Sequence, residues 1–446
     1  MAHMASWFLS FLAFLVDTAT ASTIEWAGRP DDQASASNNT ADLNVALATL
    51  LPGDTLSIPN STFWLTGGVR STGLVNVTLR LDGTLRFLAE RKGWPVEACA
   101  HDHNKTCVQK AILIANARGL TLTSAGAGMV DGNGAAWWGY LNYLRYAEDR
   151  PKLLTIQNAT DVLVERWHFR QSAYHTFHAD DVARVEIRFC SIDNRVNAAD
   201  SHSVENLAAL NTDGFDVQGR DIHIHHTSVW NQDDCFTIVP TNSNTGVNAR
   251  CTENILVEHV NASGLGLTVG SISASTHHSC IRNVTFRHAT MHHTYKGIYM
   301  KVDNHVTNPN ATAEITNILY ENITMEEPEQ VPIWIGPAQE ADSKNACSLA
   351  WPELPGSKCP PPIPTVDWTN VTLRNIRVVG AKVSPGIIFG NSENPMRGLV
   401  FDNVVFDPVD PKARPWKEQF YYCKGVDRGV ATHGTMPVPP CFSTTS

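Results

Sequence analysis

Short β-rich runs that recur along the chain constrain its fold more than any other feature. Each run is alternating or fully apolar, and most follow an Asn, Asp or Gly. The runs occupy residues 162–164, 185–187, 222–224, 255–257, 284–286, 318–320, 371–373 and 399–401. Most begin 23 to 37 residues after the previous one, and few long amphipathic helical windows interrupt them. Repeats at this interval without helical periodicity predict a β-solenoid, in which each coil buries its inward face on its neighbours.

The predicted fold class is therefore all-β, a parallel β-helix forming a single domain. A β-sandwich or jelly roll is the alternative, but hairpin dipeptides such as Asn-Gly are few. Because a β-helix has exposed end coils, we expect a short helix at residues 43–51 to cap the N-terminal end. We expect the segment with Cys423 and Cys441 to tie down the last coil.

One interval in the repeat is anomalous, because 53 residues separate Ile318 from Val371. The insertion contains several prolines, and we expect Cys347 and Cys359 to be linked within it. Long, crosslinked loops often lie near a functional face. A plain surface excursion is the equally good alternative.

The charge composition of the chain limits the kinds of partner that it can bind. The formal net charge is −10 at pH 7, which argues against nucleic acid and acidic membranes as partners. The 18 histidines would offset much of this charge below about pH 6, which favours an acidic working pH. We expect a monomer without cofactor or metal.

The N-terminus has the pattern of a secretion signal. Residues 7–16 are mostly apolar, and Ala19-Thr20-Ala21 supplies small residues before a cleavage point. We therefore divide the chain into a signal peptide, 1–21, and a β-helix domain, 22–446. Residues 2–6 contain no Lys or Arg and resemble a cloning remnant. A buried N-terminal strand is the alternative interpretation.

Cysteines and glycosylation sequons also favour export. The ten cysteines are even in number, scattered and without CxxC metal spacing, which suits disulfides in an oxidising compartment. Ten Asn-x-Ser/Thr sequons accompany them, more than chance would give. The sequons are at Asn38, Asn60, Asn76, Asn104, Asn158, Asn261, Asn283, Asn310, Asn322 and Asn370.

Acidic residues cluster in two motifs about one coil apart. The first contains Asp213 within residues 211–216, and the second contains Asp233 and Asp234 within residues 231–235. Stacked on adjacent coils, three carboxylates could supply the acid and the base that glycosidic hydrolysis needs. Inverting hydrolysis typically separates these two groups by about 6.5–9.5 Å. Crowding would keep one carboxyl protonated. Each motif taken singly fits a turn, a solvated loop or a calcium site.

With these motifs the chain resembles the polygalacturonases and relatives of glycoside hydrolase family 28. The likeness covers residues 110–405 and rests on several further segments. These are 130–138, Arg150-Pro151, 264–271 and 296–301. The resemblance implies a right-handed parallel β-helix and metal-free, inverting hydrolysis of a pectin-type chain.

The resemblance also implies roles for single residues. Asp233 would be the general acid, while Asp213 and Asp234 would hold and activate the water. Lys301 would bind a substrate carboxylate through a charge-assisted hydrogen bond. We expect Asn211 and Gln232, beside the carboxylates, to contact substrate as well. Cys235 and Cys251 look like the family's disulfide beside the acid pair.

Two departures from the family pattern bear on specificity. The usual Gly-His-Gly is replaced by Gly-Leu265-Gly, and the usual Arg-Ile-Lys by Tyr299-Met-Lys301. Tyr cannot reproduce the bidentate geometry of a guanidinium, but it could stack on a less charged sugar such as rhamnose. His278, or its neighbour His277, could replace the missing imidazole.

The function predicted from the sequence is a secreted pectin hydrolase, with polygalacturonan and rhamnogalacturonan or decorated pectin balanced as substrates. Two alternatives remain. A calcium-dependent lyase would give products that absorb ultraviolet light and would lose activity with a chelator. A catalytically silent carbohydrate-binding relative would release no reducing ends.

Overall fold

The computed structural model describes most of the chain. The described residues are 21–99, 105–126, 128–139, 149–195, 209–241, 246–274, 278–304, 308, 310–339, 347–410, 412, 414, 416 and 419–445. The predicted signal peptide lies almost entirely outside the described residues. No helix within these ranges is long and apolar enough to cross a bilayer.

Strands make up most of the described chain. In chain order they are β1 (Thr23–Glu25), β2 (Thr55–Ile58), β3 (Thr62–Leu65), β4 (Val69–Thr72), β5 (Val75–Leu81), β6 (Thr84–Phe87), β7 (Val96–Ala98), β8 (Thr106–Val108), β9 (Ile112–Ala115), β10 (Arg118–Thr123), β11 (Gly128–Asp131), β12 (Leu154–Gln157), β13 (Thr160–Glu165), β14 (Trp167–Arg170), β15 (Phe177–Arg188), β16 (Ser191–Asp193), β17 (Phe215–Trp230), β18 (Asp234–Ile238), β19 (Thr252–Ser263), β20 (Gly266–Ile272), β21 (Ser279–His292), β22 (Ile298–Val302), β23 (Ala313–Glu326), β24 (Ile333–Pro337), β25 (Val366–Val379), β26 (Gly386–Phe389), β27 (Met396–Asp407), β28 (Tyr421–Lys424), β29 (Val426–Asp427), β30 (Gly429–Thr432) and β31 (Phe442–Thr444).

The strands wind into a right-handed parallel β-helix, as predicted. Apart from the antiparallel β7–β8 hairpin, the pairings are parallel, and each coil contributes to three faces. The face that we call the site sheet contains β4, β9, β12, the start of β15, the start of β17, β18, β20, β22, β24, β26 and β28.

The recurring β-rich runs pair with one another on the second face. Val162 pairs with Val185, Val185 with Ile222, and Ile222 with Ile255. The register continues through the remaining runs to the pairing of Val371 with Leu399. The repeat in the sequence is therefore the coil of the β-helix.

Left-handed residues turn the long strands from the second face to the third. His226, His259, His288 and Asn322 occupy this corner on successive coils, with φ between 51° and 54°. Asparagine and histidine tolerate this conformation better than β-branched residues do.

The core is a single column of stacked apolar side chains. On the site sheet, Phe177, Phe215 and Phe236 point inward on three successive coils and are fully buried. Ring centroids of Phe215 and Phe236 are 5.6 Å apart and nearly parallel. Since alternate residues of a strand face opposite sides, their neighbours Asp216 and Thr237 face outward.

Both ends are capped, with one change to the prediction. The helix α1 covers Ala36–Ala48 rather than residues 43–51, because buried residues begin at Ala36 and the chain after Thr49 turns toward β2. Leu43 and Leu47 join the core. At the other end, a Cys423–Cys441 disulfide fixes the last coil.

The expected Cys235–Cys251 disulfide is wrong. Cys251 instead pairs with Cys280, which lies beside it on the next coil with Cα atoms 5.0 Å apart. Cys235 is a buried thiol whose Sγ donates to Asn231 Oδ1 at 3.3 Å. Cys190 is also a free, buried thiol, and Cys99 pairs with Cys107.

The anomalous insertion contains the predicted Cys347–Cys359 disulfide. It lies against the site sheet, because the Trp351 ring packs edge-on against Trp334 of β24, with centroids 5.5 Å apart. Tyr299 of β22 belongs to the same small apolar cluster. The part of the insertion around Trp351 therefore packs on the outer face of the site sheet.

Candidate active site

The structure brings Asp213, Asp233 and Asp234 together on the site sheet. Phe215 pairs with Phe236, and Gly214 N donates to Asp234 O at 2.8 Å, so Asp213 and Asp234 occupy equivalent positions on successive coils. One carboxylate oxygen from each of the three residues lies within 4.8 Å of the others. Asp233 is the most exposed of the three.

Buried polar contacts hold the turns that carry these carboxylates. Asn231 donates from Nδ2 to the carbonyl oxygens of Thr212 and Asp234, at 3.0 and 2.7 Å. The Thr212 hydroxyl accepts from Gln232 N at 3.1 Å. Gly264 packs so closely that a Cβ there would lie 1.9 Å from Asn231 Oδ1. Any larger residue at 264 would displace the turn.

Both oxygens of Asp234 accept strong hydrogen bonds. Lys301 Nζ lies 2.6 Å from Oδ2, and the Thr268 hydroxyl donates to Oδ1 at 2.5 Å. The Asp234 side chain is almost completely buried. The ammonium of Lys301 therefore compensates the charge of this buried carboxylate.

Asp233 is held by backbone and amide donors. Its Oδ1 accepts from Asp234 N at 2.9 Å, and its Oδ2 faces Asn211 N and Nδ2 at 3.2 and 3.4 Å. The buried guanidinium of Arg150 donates to Asn211 Oδ1 at 3.2 Å and so orients that amide. Arg150 and Asn211, both in the motifs that carry the resemblance, thus fix the position of Asp233.

Burial raises the pKa of Asp213 well above its usual value, and the neighbouring carboxylates of Asp233, Asp216 and Asp234 raise it further. A proton is therefore bound within the cluster at mildly acidic pH. Asp213 Oδ1 is buried without a hydrogen-bond partner in the described structure.

An imidazole lies beside Asp213 on the preceding coil. His175 Nε2 is 3.6 Å from Asp213 Oδ1, and His175 Nδ1 is 2.7 Å from Asp216 Oδ2. Burial lowers the pKa of His175 to about 4, against the opposing effect of Asp216. Burial alone would raise the pKa of Asp216, but its contacts with His175 and His178 hold it below its usual value. A neutral His175 thus links an ionised Asp216 to a protonated Asp213.

Three other residues that the sequence predicted to bind substrate lie either buried or away from the site sheet. Tyr299 is only 2% exposed, and its hydroxyl accepts from Gln339 N at 3.0 Å. Gln232 is 1% exposed and accepts from the Tyr295 hydroxyl at 3.1 Å. His278 is exposed at the start of β21, away from the site sheet, and bonds Thr312 Oγ1 at 2.9 Å. His277 lies outside the described residues.

Sequence reasoning missed His175, Asp216 and Lys296. Lys296 is buried, with its Nζ 4.7 Å from the centre of the Tyr299 ring, and burial lowers its pKa to about 8. One signal was available, because Asp216 follows Asp213 by three residues and His178 follows His175 by three. Equivalent positions on successive coils could have been compared for such groups.

The carboxylates are closer together than expected. Inverting enzymes typically separate acid and base by about 6.5–9.5 Å and retaining enzymes by about 5–5.5 Å. The closest oxygens here lie within 4.8 Å of one another. Spacing alone therefore does not favour inversion, and the state of each carboxylate has to decide.

Three carboxylates and an ammonium lie together on one open-ended sheet of a β-helix. This combination defines a class of proteins that present acid and base groups to a chain-like ligand. The match to a family model is consistent with this class. The model described as glycosyl hydrolases family 28 matches residues 53–417. The chain belongs to this family.

Individual relatives are distant. A probable endopolygalacturonase D of Emericella nidulans is 25% identical over 215 residues, covering 48% of this chain and 39% of the relative. The alignment thus spans about two-fifths of that protein's length.

Solved structures are similar to the whole fold. Endo-xylogalacturonan hydrolase from Aspergillus tubingensis matches with a TM-score of 0.60 and 19% identity, over 95% of this chain and 99% of the other. Polygalacturonase from Erwinia carotovora ssp. carotovora matches with a TM-score of 0.60 and 17% identity, over 91% and 96%.

Proposed function

We propose that the protein is a secreted glycoside hydrolase that cleaves α-glycosidic bonds in a pectin-type polysaccharide with inversion. Family membership supports the reaction class. The observation that carries the proposal is the pairing of Asp234 with Lys301 at 2.6 Å beside Asp213 and Asp233.

Water is the nucleophile in this mechanism. A retaining enzyme bonds a carboxylate oxygen to the sugar carbon, and hydrogen bonds from Lys301 and Thr268 make both oxygens of Asp234 weaker nucleophiles. Each oxygen keeps a second lone pair that can accept from water. Burial and neighbouring carboxylates raise the pKa of Asp213, which favours its protonated form, and a protonated carboxyl is a poor nucleophile. Asp213 and Asp234 instead hold a water molecule between them, and Asp234 takes its proton as the water oxygen bonds the anomeric carbon.

Asp233 gives a proton to the departing sugar oxygen as the glycosidic bond breaks. In the free protein Asp233 accepts hydrogen bonds from N–H donors, while the raised pKa of Asp213 favours a proton on Asp213. That proton has to reach Asp233 before the reaction, over the short distance within the cluster. Asp213 as the acid is the second candidate, favoured by its raised pKa alone.

Lys301 and Tyr299 belong to the sugar-binding surface in different ways. Lys301 can bridge Asp234 and a substrate carboxylate. Because Tyr299 is buried, we assign it to holding Lys301, whose Nζ lies 4.9 Å from the ring centre, rather than to stacking on a sugar. Leu265 provides no imidazole. Polygalacturonan and a rhamnose-containing or decorated pectin remain the two candidate substrates.

Export is the third part of the proposal. Four disulfides among the described residues suit an oxidising compartment. The sequence pattern of residues 7–21 supplies a signal peptide.

A product screen tests the proposal. The protein is incubated with polygalacturonate, rhamnogalacturonan and xylogalacturonan, and reducing ends and ultraviolet absorbance are followed together. We expect new reducing ends without absorbance, insensitive to chelator. Products that absorb ultraviolet light would establish a lyase, and binding without reducing ends would establish a silent relative.

A further inference from the structure

Two histidines and an aspartate meet on the outer surface of the site sheet, beside the carboxylate cluster. His178 of β15 pairs in register with Asp216 of β17, and each follows an inward-pointing phenylalanine, so both side chains face outward. His175 precedes β15 and reaches the same surface. One side-chain nitrogen or oxygen from each of the three residues lies within 4.8 Å of the others. We call these three residues the His–Asp group.

Contacts inside the His–Asp group leave buried polar atoms without a hydrogen-bond partner. His175 Nδ1 is 2.7 Å and His178 Nδ1 is 3.8 Å from Asp216 Oδ2. In the described structure neither Nδ1 atom forms a hydrogen bond, and Asp216 Oδ1 forms none either. Asp216 is only 3% exposed. Because buried polar groups normally have partners, three such atoms in one place indicate that a ligand from outside the chain belongs between them.

The donor set and spacing of the His–Asp group suit a metal ion. Zinc binds imidazole nitrogen at about 2.0–2.1 Å and carboxylate oxygen at about 2.0–2.2 Å, so two ligands of one ion lie roughly 3 Å apart. The two nitrogen-to-oxygen distances, 2.7 and 3.8 Å, lie on either side of this value. Two imidazoles and one carboxylate with a fourth position open are a known zinc donor set, whereas calcium and magnesium take oxygen ligands.

A neighbouring ring fixes the orientation of His175. The Tyr174 ring stacks on the imidazole, with centroids 4.1 Å apart and planes 29° apart. The guanidinium of Arg150 lies over the Tyr174 ring at 4.9 Å. Ligands that are held in this way need little rearrangement when an ion binds. The side chains of His175 and His178 are 19% and 14% exposed, so an ion can reach them from the groove.

The His–Asp group lies close enough to the carboxylates to affect hydrolysis. His175 Nε2 is 3.6 Å from Asp213 Oδ1, while His175 Nδ1 faces Asp216, so one imidazole separates the two carboxyls. An ion on the His–Asp group, with water in its open position, would occupy the groove in which a sugar has to lie against Asp213. Sugar and ion would therefore exclude each other.

We infer that His175, His178 and Asp216 form a site for a divalent transition cation of the zinc class, and that the bound ion inhibits hydrolysis by occupying the groove beside Asp213. The second part of this inference rests on the proposed function. The metal-free protein is then the active form, and the cation is a reversible regulator of the same site rather than a resident cofactor.

Calorimetric titration of the untagged protein with zinc measures the site directly. We expect wild type to bind zinc, and His178→Gln and Asp216→Asn should each weaken this binding at least about 10-fold. His226→Gln is the matched control, because His226 belongs to an exposed histidine pair in which its Nδ1 is 2.7 Å from His225 Nδ1. The control should keep the affinity of wild type, and excess calcium or magnesium should not displace zinc.

Release of reducing ends from pectin, measured in parallel, tests the regulatory part. Zinc should suppress hydrolysis by wild type and by His226→Gln, and a chelator should restore it. Binding of zinc without inhibition would overturn the regulatory part alone. Failure of the proposed function would look different, because no pectin backbone would then be cleaved even without zinc, while calorimetry would still detect the ion.

The site itself would be overturned if wild type bound no zinc, or if only His226→Gln lost the binding. Circular dichroism checks that the variants are folded. If His178→Gln and Asp216→Asn do not fold, X-ray absorption of zinc bound to the His226→Gln protein decides. Two imidazole ligands are expected there, and fewer than two would contradict the inference.

Discussion

Burial and the neighbouring carboxylates of Asp233, Asp216 and Asp234 raise the pKa of Asp213 and so favour its protonated form. His175 lies between the two carboxyls, with Nδ1 2.7 Å from Asp216 Oδ2 and Nε2 3.6 Å from Asp213 Oδ1. On the other side, Lys301 compensates Asp234. Two neighbouring carboxyls of one cluster thus have different surroundings, and acid and base roles require such a difference.

Substrates with an activated leaving group distinguish the acid among the carboxylates. An acid is dispensable when the leaving group needs no proton, for instance in a glycosyl fluoride of the sugar that is cleaved. We expect Asp233→Asn to lose about 10²–10⁴-fold in kcat/KM on polymer and to recover most of it on the fluoride. If Asp213→Asn instead recovered kcat/KM on the fluoride, Asp213 would be the acid and Asp233 would help to hold the water.

Replacing Asp213 should stabilise the fold although it abolishes activity. Its pKa is raised above the ordinary value of 3.8, so the folded protein binds more protons than the unfolded chain between pH 3.8 and the raised pKa. The free energy of unfolding therefore falls as pH rises through this window. Asp213→Asn should raise the Tm at pH 7 while abolishing turnover, as thermal denaturation would show. A lower Tm would mean that the carboxyl is not strained by burial.

At the scale of the strand, the residues at the corners between faces do most to define the shape of each coil. Left-handed asparagines at the corners bond their counterparts on the next coil, as from Asn375 Nδ2 to Asn322 Oδ1 at 3.0 Å. Five sequon asparagines have this left-handed conformation: Asn76, Asn158, Asn283, Asn322 and Asn370. Part of the excess of sequons therefore arises from the repeat, which weakens their value as a sign of export.

Substitution of Asn375 tests how much a corner residue contributes to stability. It accepts from Asn403 Nδ2 at 2.9 Å besides donating to Asn322. Asn375→Ala should cost about 1–2 kcal/mol, because it removes both bonds and strains the left-handed backbone. Asn375→Gly removes the same bonds without that strain and should cost less in urea denaturation. Equal losses would assign the effect to hydrogen bonding alone.

On the scale of the whole molecule, the β-helix places equivalent residues of successive coils in rows, and these rows form a long polar face. Lys110 and Lys152 lie on this face before the acidic cluster, so positive charge lies near the site although the chain has a net charge of −10. An acidic polymer can therefore approach the site of an acidic protein.

Protonation of His175 should limit stability in acid. Its pKa falls from 6.5 to about 4 on folding, so the unfolded chain binds more protons in that window. The free energy of unfolding should then rise with pH between about 4 and 6.5. His175→Gln should flatten this slope in denaturation curves, whereas the exposed control His278→Gln should not. An unchanged slope for His175→Gln would mean that this imidazole does not titrate in the window.

Periodicity made the coil predictable, because the inward residues of each run must stack on those of the next. Asp213, Asp233 and Asp234 were singled out for the same reason. Tertiary contacts were not predictable in this way. The Cys251–Cys280 disulfide depends on which residues lie side by side between coils, and the burial of Tyr299 depends on where the insertion folds back. His175 was missed because the coil between it and Asp213 is 38 residues long and has no motif of its own.

Turnover of single carboxylate variants tests the central claim most directly. Asp213→Asn, Asp233→Asn and Asp234→Asn are compared with wild type by release of reducing ends from the best pectin substrate, with circular dichroism as the check of fold. We expect each variant to remain folded and to lose at least about 10²-fold in kcat. Near-normal turnover in all three folded variants would contradict the claim that this cluster performs the reaction.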